Sequence, residues 1–201
     1  MKIICIGRNY SAHAKELNSE IPTEPVIFLK PDTALLKGKK VFYLPGFSSD
    51  IHHELEIVLK ISKEGKHIQE KFAHKYYDEI SVGIDFTARD LQNRLKAKGL
   101  PWELSKAFDN SCPVGDFISR KSLPGDLGCH LLINGKKVQE GNSAQMLFTF
   151  DKIIAFVSGF ITLRKGDLIF TGTPEGVGPV KSGDVLEAFL EGEKRLELKI
   201  A

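Results

Sequence analysis

The apolar positions Leu55, Ile57, Leu59 and Ile61 recur at every second residue and predict a β-strand over residues 54–61. Apolar runs also predict strands over 2–6, ending at Gly7, and over 26–29, 80–85, 168–171, 185–190 and 196–200. Asn134-Gly135 sits between Leu131-Leu132-Ile133 and Lys136-Lys137-Val138, a strong signal for a two-residue hairpin turn. Phe150, Ile153, Ile154, Val157 and Phe160 recur at helical spacing and predict a helix over 149–160. Residues 87–98 read as a second helix, stopped by Gly99 and Pro101. A short helix is expected over 11–17, and 68–79 is a polar, helix-compatible connection. Residues 32–50 read as short strands and turns punctuated by Gly38, Pro45 and Gly46. Many short strands, few helices and no regular βαβ alternation predict an α+β fold with antiparallel or mixed sheet. No linker, repeat or low-complexity tract divides the chain, so 1–201 is read as one domain.

Composition narrows the function classes. At 201 residues, with 42% hydrophobic and 27% charged content, the chain suits an ordinary globular domain. A net charge of +2 argues against strong electrostatic capture of nucleic acid or a membrane surface. No basic run is interleaved with aromatics. Cys5, Cys112 and Cys129 are odd in number, far apart and in no Cys-x-x-Cys pair, as expected of free thiols in a reducing compartment. No apolar run approaches the ~18–20 residues of a membrane span. The start reads directly into a strand with no visible leader, so the cytoplasm is the expected location.

The candidate chemistry begins at Glu54 and Glu56. Residues two apart on a strand point the same way, so both carboxylates share a face. Two close like charges raise each other's pKa unless something positive lies between them. A divalent cation satisfies that demand, with Asp85 as a third ligand; a solvated acidic strand face is the other reading. Hard oxygen donors favour Mg²⁺ or Mn²⁺ over zinc, so His52 and His53 are read as supporting or structural. His13 and Glu16 are three apart on the predicted helix, where a carboxylate beside an imidazole makes a general base; a surface pair of no consequence remains open. Asp85 ends a strand, and Arg89, Asp90 and Gln92 lie on the helix after it, with Thr87 and Asp90 also able to serve as helix-start residues. Lys106, read on a half-buried strand, suits an anionic substrate or an enolate, or simply reaches out to solvent. Thr171-Gly172-Thr173-Pro174 begins a Gly-rich turn after a strand, either a carboxylate seat or only a tight loop.

Taken in order, these segments resemble the fumarylacetoacetate hydrolase family. The motifs are Gly7-Arg8-Asn9-Tyr10 with His13 and Glu16, His53-Glu54-Leu55-Glu56, Asp85 with Thr87-Ala88-Arg89-Asp90 and Gln92, Lys106-Ala107-Phe108-Asp109, Gly141-Asn142-Ser143, and Thr171-Gly172-Thr173-Pro174 with Gly176-Val177-Gly178. The likeness spans nearly the whole chain. It is closest to the short members that act as acylpyruvases and oxaloacetate decarboxylases, as Gly99-Leu100-Pro101-Trp102 and Ser111-Cys112-Pro113-Val114 add. One departure is Ser143, where the family more often shows Thr.

The resemblance implies a mixed β-roll or sandwich of the family's C-terminal-domain type, and a homodimer. It implies Mg²⁺ or Mn²⁺ on Glu54, Glu56 and Asp85, with His13, Glu16 and Lys106 as catalytic residues. Gln92 and Thr173 become substrate contacts, with Arg8 and Lys30 as further candidates for substrate carboxylates. The implied reaction is metal-dependent C–C cleavage of small 2-oxo acids through a pyruvate enolate: acylpyruvate hydrolysis, oxaloacetate decarboxylation, or both. Keto–enol tautomerisation or isomerisation of an unsaturated dicarboxylate at the same site is the alternative. A metal-binding module without turnover is the non-enzyme reading.

Overall fold

The structure, a computed structural model, describes residues 1–11, 21–36 and 41–201. The expected helix 11–17, apart from its first residue, lies outside the described residues, and so do His13 and Glu16. Fourteen described strands run in chain order. They are β1 (Ile3–Gly7), β2 (Val26–Lys30), β3 (Val41–Phe42), β4 (Ile51–His53), β5 (Leu55–Ile61), β6 (Tyr77–Ile84), β7 (Thr87–Ala88), β8 (Ile118–Ser119), β9 (Gly128–Ile133), β10 (Lys136–Asn142), β11 (Leu168–Phe170), β12 (Gly178–Pro179), β13 (Val185–Leu190) and β14 (Glu193–Ile200). The described α-helices are α1 (Glu70–Ala73), α2 (Arg89–Ala97), α3 (Glu103–Lys106) and α4 (Phe150–Phe160).

The strands form three sheets, ordered β2-β1-β11-β5-β6-β8, β10-β9-β13-β14-β3 and β12-β4-β7. Pairing is mixed, since β1 runs parallel to β11 while β5 is antiparallel to both its neighbours. This is the expected α+β architecture. Strand β5 lies inside its sheet, and every residue of it except Lys60 is buried. Its apolar alternation therefore fills two interiors: Leu55, Ile57, Leu59 and Ile61 join the large core, and Val58 joins a smaller one with Ile3, Cys5 and Phe170. Phe42 stacks on Phe86 at 4.1 Å, tying the β3 edge to the segment after β6.

Local signals account for most element ends. Asn134 and Gly135 take φ of 51° and 77°, the two positive values that a tight hairpin turn between β9 and β10 demands. Thr149 accepts the Lys152 N–H and starts α4 at the expected place. Two expectations need correction. The helix expected from 87 begins at Arg89, because Thr87 and Ala88 pair with His52 and Ile51 of β4. Lys106 is not on a strand; it ends the single turn α3, where its N–H bonds the Trp102 carbonyl at 3.1 Å.

Candidate metal and substrate site

The acidic cluster is built by one antiparallel pair. Strand β5 carries Glu56 and begins one residue after Glu54; β6 delivers Asp85 immediately past its end. Register sets Leu55 opposite Ile84 and Glu56 opposite Gly83, and the Asp85 N–H donates to the Glu54 carbonyl at 2.8 Å. Oxygens of Glu54, Glu56 and Asp85 consequently lie within 4.8 Å of one another, all three residues being buried. A solvated strand face is thereby excluded. Mg–O bonds of about 2.0–2.1 Å allow donors up to about 4.2 Å apart, so only a small contraction brings this all-oxygen set onto a hard divalent cation. Burial, with the charges of Asp85 and Glu54, pushes the Glu56 carboxyl well above its ordinary pKa, against the Gly172 N–H that donates to its Oε2 at 2.6 Å. A carboxylate held that way gains from an added cation. The residues present fit Mg²⁺ or Mn²⁺.

Cations of the chain already bracket the cluster. Lys106 Nζ reaches Glu54 Oε2 at 2.8 Å, Asp85 Oδ2 at 2.7 Å and Thr87 Oγ1 at 2.6 Å. Burial opposes its charge, but the Asp85 and Glu54 carboxylates override that and hold the ammonium protonated. Arg89 donates to Glu54 Oε1 and to Gln92 Oε1, each at 2.5 Å. Lys30 lies 2.8 Å from Asp85 Oδ1 and donates to Ser111 Oγ at 2.9 Å and to the Lys106 carbonyl. Its side chain is fully buried, and it stands behind Asp85 rather than on the cavity wall expected of a substrate contact. Thr87, read from sequence as a helix-start residue, belongs to this cluster instead.

A small cavity of about 40 Å³ opens over the cluster. Arg8, Gln92 and Thr173 line it, together with Lys96, Phe28 and Trp102. Phe28 and Trp102 meet edge to face at 6.1 Å, and Lys106 Nζ lies 5.1 Å from the Phe28 ring centre. His13 and Glu16 have no described position.

Two buried amides hold the site in shape: Gln139, which carries no obvious sequence signal, and Asn9 of the first motif. Gln139 Oε1 accepts the Leu55 N–H at 2.9 Å and lies 2.8 Å from His53 Nδ1, which must therefore donate. Its Nε2 donates to Thr173 Oγ1 at 2.9 Å and to the Pro174 carbonyl at 3.0 Å. Gln139 thus fastens the glycine-rich turn to the acidic strand. Asn9 donates to the carbonyls of Phe148 and Thr171 at 3.0 and 2.7 Å and accepts the Phe148 N–H at 2.8 Å. This anchor supports Arg8, whose φ of 60° is unusual for a residue with a side chain. Gly172 has φ 102°, and a Cβ there would fall 2.6 Å from Asn9 Cβ. Only glycine lets the turn come close enough to donate to Glu56. The histidines take the supporting places expected of them: His53 bonds Gln139, and His52 Nε2 lies 2.9 Å from Asp50. A thiol nucleophile finds no support, since all three cysteines are buried and burial pushes Cys112 and Cys129 up to about 12.

Comparison with known proteins agrees with this geometry. The profile of the fumarylacetoacetate hydrolase C-terminal domain matches residues 2–201. "Oxaloacetate tautomerase FAHD1, mitochondrial" of Mus musculus is 42% identical over 200 residues, covering 98% of this chain and 90% of its own length. "Oxaloacetate decarboxylase, mitochondrial" of Dictyostelium discoideum is 44% identical over 196 residues, covering 95% and 89%. The crystal structure of fumarylpyruvate hydrolase from Pseudomonas aeruginosa in complex with Mn²⁺ and pyruvate superposes with a TM-score of 0.94 at 34% identity, covering 100% of this chain and 89% of that one. With motif order, fold and carboxylate cluster in agreement, the chain belongs to the fumarylacetoacetate hydrolase family.

Proposed function

We propose that the protein is a divalent-metal-dependent enzyme of small 2-oxo acids that works through their enolate. Interconversion of the keto and enol forms of an oxaloacetate-type acid is its first reaction. The observation that carries the reading is the buried Glu54–Glu56–Asp85 cluster facing a cavity of cationic side chains. Glu54, Glu56 and Asp85 would hold Mg²⁺ or Mn²⁺, which supplies Lewis-acid polarisation of a 2-oxo carbonyl. Lys106, kept charged, sets an ammonium beside the oxygen where negative charge develops when a C3 proton leaves. Because it stays protonated and is tied to two carboxylates, it stabilises charge rather than acting as the base. Gln92 and Thr173 orient the acid. Removal and return of the C3 proton fall to His13 and Glu16, carried by the sequence motif. Phe28 and Trp102 limit water at the reacting carbon.

A second reaction shares the enolate. If His13 and Glu16 activate water, an acylpyruvate is cleaved; if the departing group is CO₂, oxaloacetate is decarboxylated. The relatives bearing decarboxylase and fumarylpyruvate hydrolase names favour keeping this C–C cleavage reading. The family resemblance further supports a homodimer, which sedimentation would test. The three free thiols suit a reducing compartment such as the cytoplasm, whereas the two curated relatives named above are called mitochondrial. Among the described residues no helix is long and apolar enough to cross a membrane.

The deciding experiment strips metal and then assays oxaloacetate enol disappearance and pyruvate release from oxaloacetate and acetylpyruvate, with Mg²⁺ or Mn²⁺ restored. Metal-dependent enol conversion without pyruvate supports the tautomerase. Metal-dependent pyruvate release moves the assignment to C–C cleavage. Inactivity in every arm refutes both.

A further inference from the structure

Helix α2 presents Arg89, Gln92 and Lys96 at positions one and two turns apart, so they lie along one face. All three line the cavity. Arg89 is bound to Glu54 at the inner end. At 1.5 Å per residue, Lys96 lies about 10 Å farther along the helix axis. Its charge is poorly compensated: burial lowers its pKa, and the nearby Arg8 and Arg89 charges lower it further. Arg8 approaches the same space from the turn after β1, in the left-handed conformation that Asn9 and Gly172 hold in place. Such a backbone conformation persists when its surroundings enforce it, and it marks a place where side-chain direction matters.

Among the described residues the cavity wall carries three carboxylates, Glu54, Glu56 and Asp85, against Arg8, Arg89, Lys96 and Lys106. Lys30 adds a fifth cation from behind Asp85. Arg89, Lys106 and Lys30 are in ion pairs with Glu54 and Asp85, whereas Arg8 and Lys96 make no ion pair among the described residues. Two cations that line one small cavity and make no ion pair among the described residues suit an anionic group on the ligand, beyond the head group that meets the carboxylate cluster.

We propose that Lys96, assisted by Arg8, seats the distal carboxylate of the substrate and so selects dianionic 2-oxo acids over monoanionic ones of the same head group. The inference rests on the 2-oxo acid reading and adds a residue of specificity to it. Lys96 acts on the binding of the far end and takes no part in proton transfer. Its removal therefore penalises dianions and spares monoanions.

The test compares Lys96→Met, which keeps length and removes charge, with Lys96→Arg and with Lys98→Met as a control one residue past α2. With Mn²⁺ present, KM for oxaloacetate is expected to rise about 10- to 100-fold in Lys96→Met, the range for a lost charge-assisted contact. Turnover of the monoanion acetylpyruvate should stay within about twofold by the same argument, Lys96→Arg should restore most of the loss, and Lys98→Met should match the parent. A parallel titration calorimetry arm measures malate against lactate. Malate binding should weaken in Lys96→Met while lactate binding does not. Equal losses for both acids, or no loss for either, overturn the proposal. If the parent enzyme turns over no 2-oxo acid, the functional reading fails, and the malate–lactate comparison still decides whether Lys96 reads a second carboxylate.

Discussion

Replacing Lys106 by Met separates what holds this site together from what reacts in it. The side chain keeps its length and apolar stem but loses the ammonium that touches Glu54, Asp85 and Thr87 at 2.6–2.8 Å. Breaking a buried ion pair by removing one partner costs about 3–5 kcal/mol, because the remaining charges stay desolvated. Lys106 is 2% exposed, so solvent screening takes little from that figure. For a chain of this size each kcal/mol moves the melting temperature by about 2–4 °C, which gives a fall of roughly 6–20 °C in chelator. Restoring Mg²⁺ or Mn²⁺ places positive charge among the same carboxylates, so the variant should gain more in melting temperature on metal addition than the parent does. Activity should nevertheless stay at least about 100-fold down, the typical loss of one pre-organised charge stabiliser. A buried carboxylate that has lost one of its two cations more readily takes up a proton, so the stability deficit should shrink as pH falls. Circular dichroism melts in chelator and in metal, with an enol-absorbance assay alongside, measure all of this. A stripped variant that melts within about 2 °C of the parent, or one whose activity metal restores, would refute the reasoning.

Glu56→Gln and Asp85→Asn should each abolish the stabilisation by Mn²⁺, which for the parent amounts to about 2.7 kcal/mol at a hundredfold excess over Kd; persistence of the metal-induced shift in thermal melts would exclude them as ligands. Gly172→Ala puts a Cβ 2.6 Å from Asn9 Cβ in a left-handed conformation, and should cost about 1–3 kcal/mol by urea denaturation together with most of the activity. Gln139→Leu removes the four contacts that tie Thr173 and Pro174 to His53 and Leu55; a loss of activity larger than the loss of stability is expected, and equal retention of both would deny it a positioning role. Although burial opposes its charge, Asp167 has a pKa held below the usual carboxylate range by the Lys2 ammonium and by the backbone N–H donors of Lys2 and Arg164. Its contribution is full above the ordinary carboxylate pKa and is lost as pH falls through the lower folded value. Asp167→Asn should flatten the acid limb of the urea midpoint against pH; an unchanged slope would contradict this.

Strand positions and the acidic cluster were legible because both obey short-range rules. Alternating apolar residues mark β5, and the period of two puts Glu54 and Glu56 on one face whatever the rest of the chain does. Whether that face meets water depends on neighbours far away in sequence, such as Lys106 and the Gly172 turn that contact Glu54 and Glu56, so the solvated reading could be closed only in three dimensions. Lys106 was recognised as a site residue and placed on the wrong element. Its neighbours Leu104 and Phe108 suit a strand, while one turn of helix leaves almost no periodic trace. Lys30 was read as a candidate substrate contact, whereas in the structure it is a buried partner of Asp85. Gln139 escaped notice because a lone polar residue beside a bulge in β10 looks like any strand glutamine until its four partners are seen. Lys96 looked like an ordinary lysine near a helix end.

The glycine-rich turn that donates to Glu56 follows β11, and β11 is paired with β1 across 165 residues of chain. The ligand-bearing pair β5–β6 closes over a far shorter loop. Gly172 stands 116 residues from Glu56 in the chain, and loop-closure entropy grows as about (3/2)RT ln n, so that closure costs about 1.2 kcal/mol more than the roughly thirty-residue closure of Glu54 with Asp85. That difference favours the three carboxylates meeting before the Gly172 amide arrives to steady them, with the acidic cluster assembled on one side and still open on the other. Metal present at that stage has a partial site to occupy, so its effect should appear in refolding rates as well as in the melting of the finished protein.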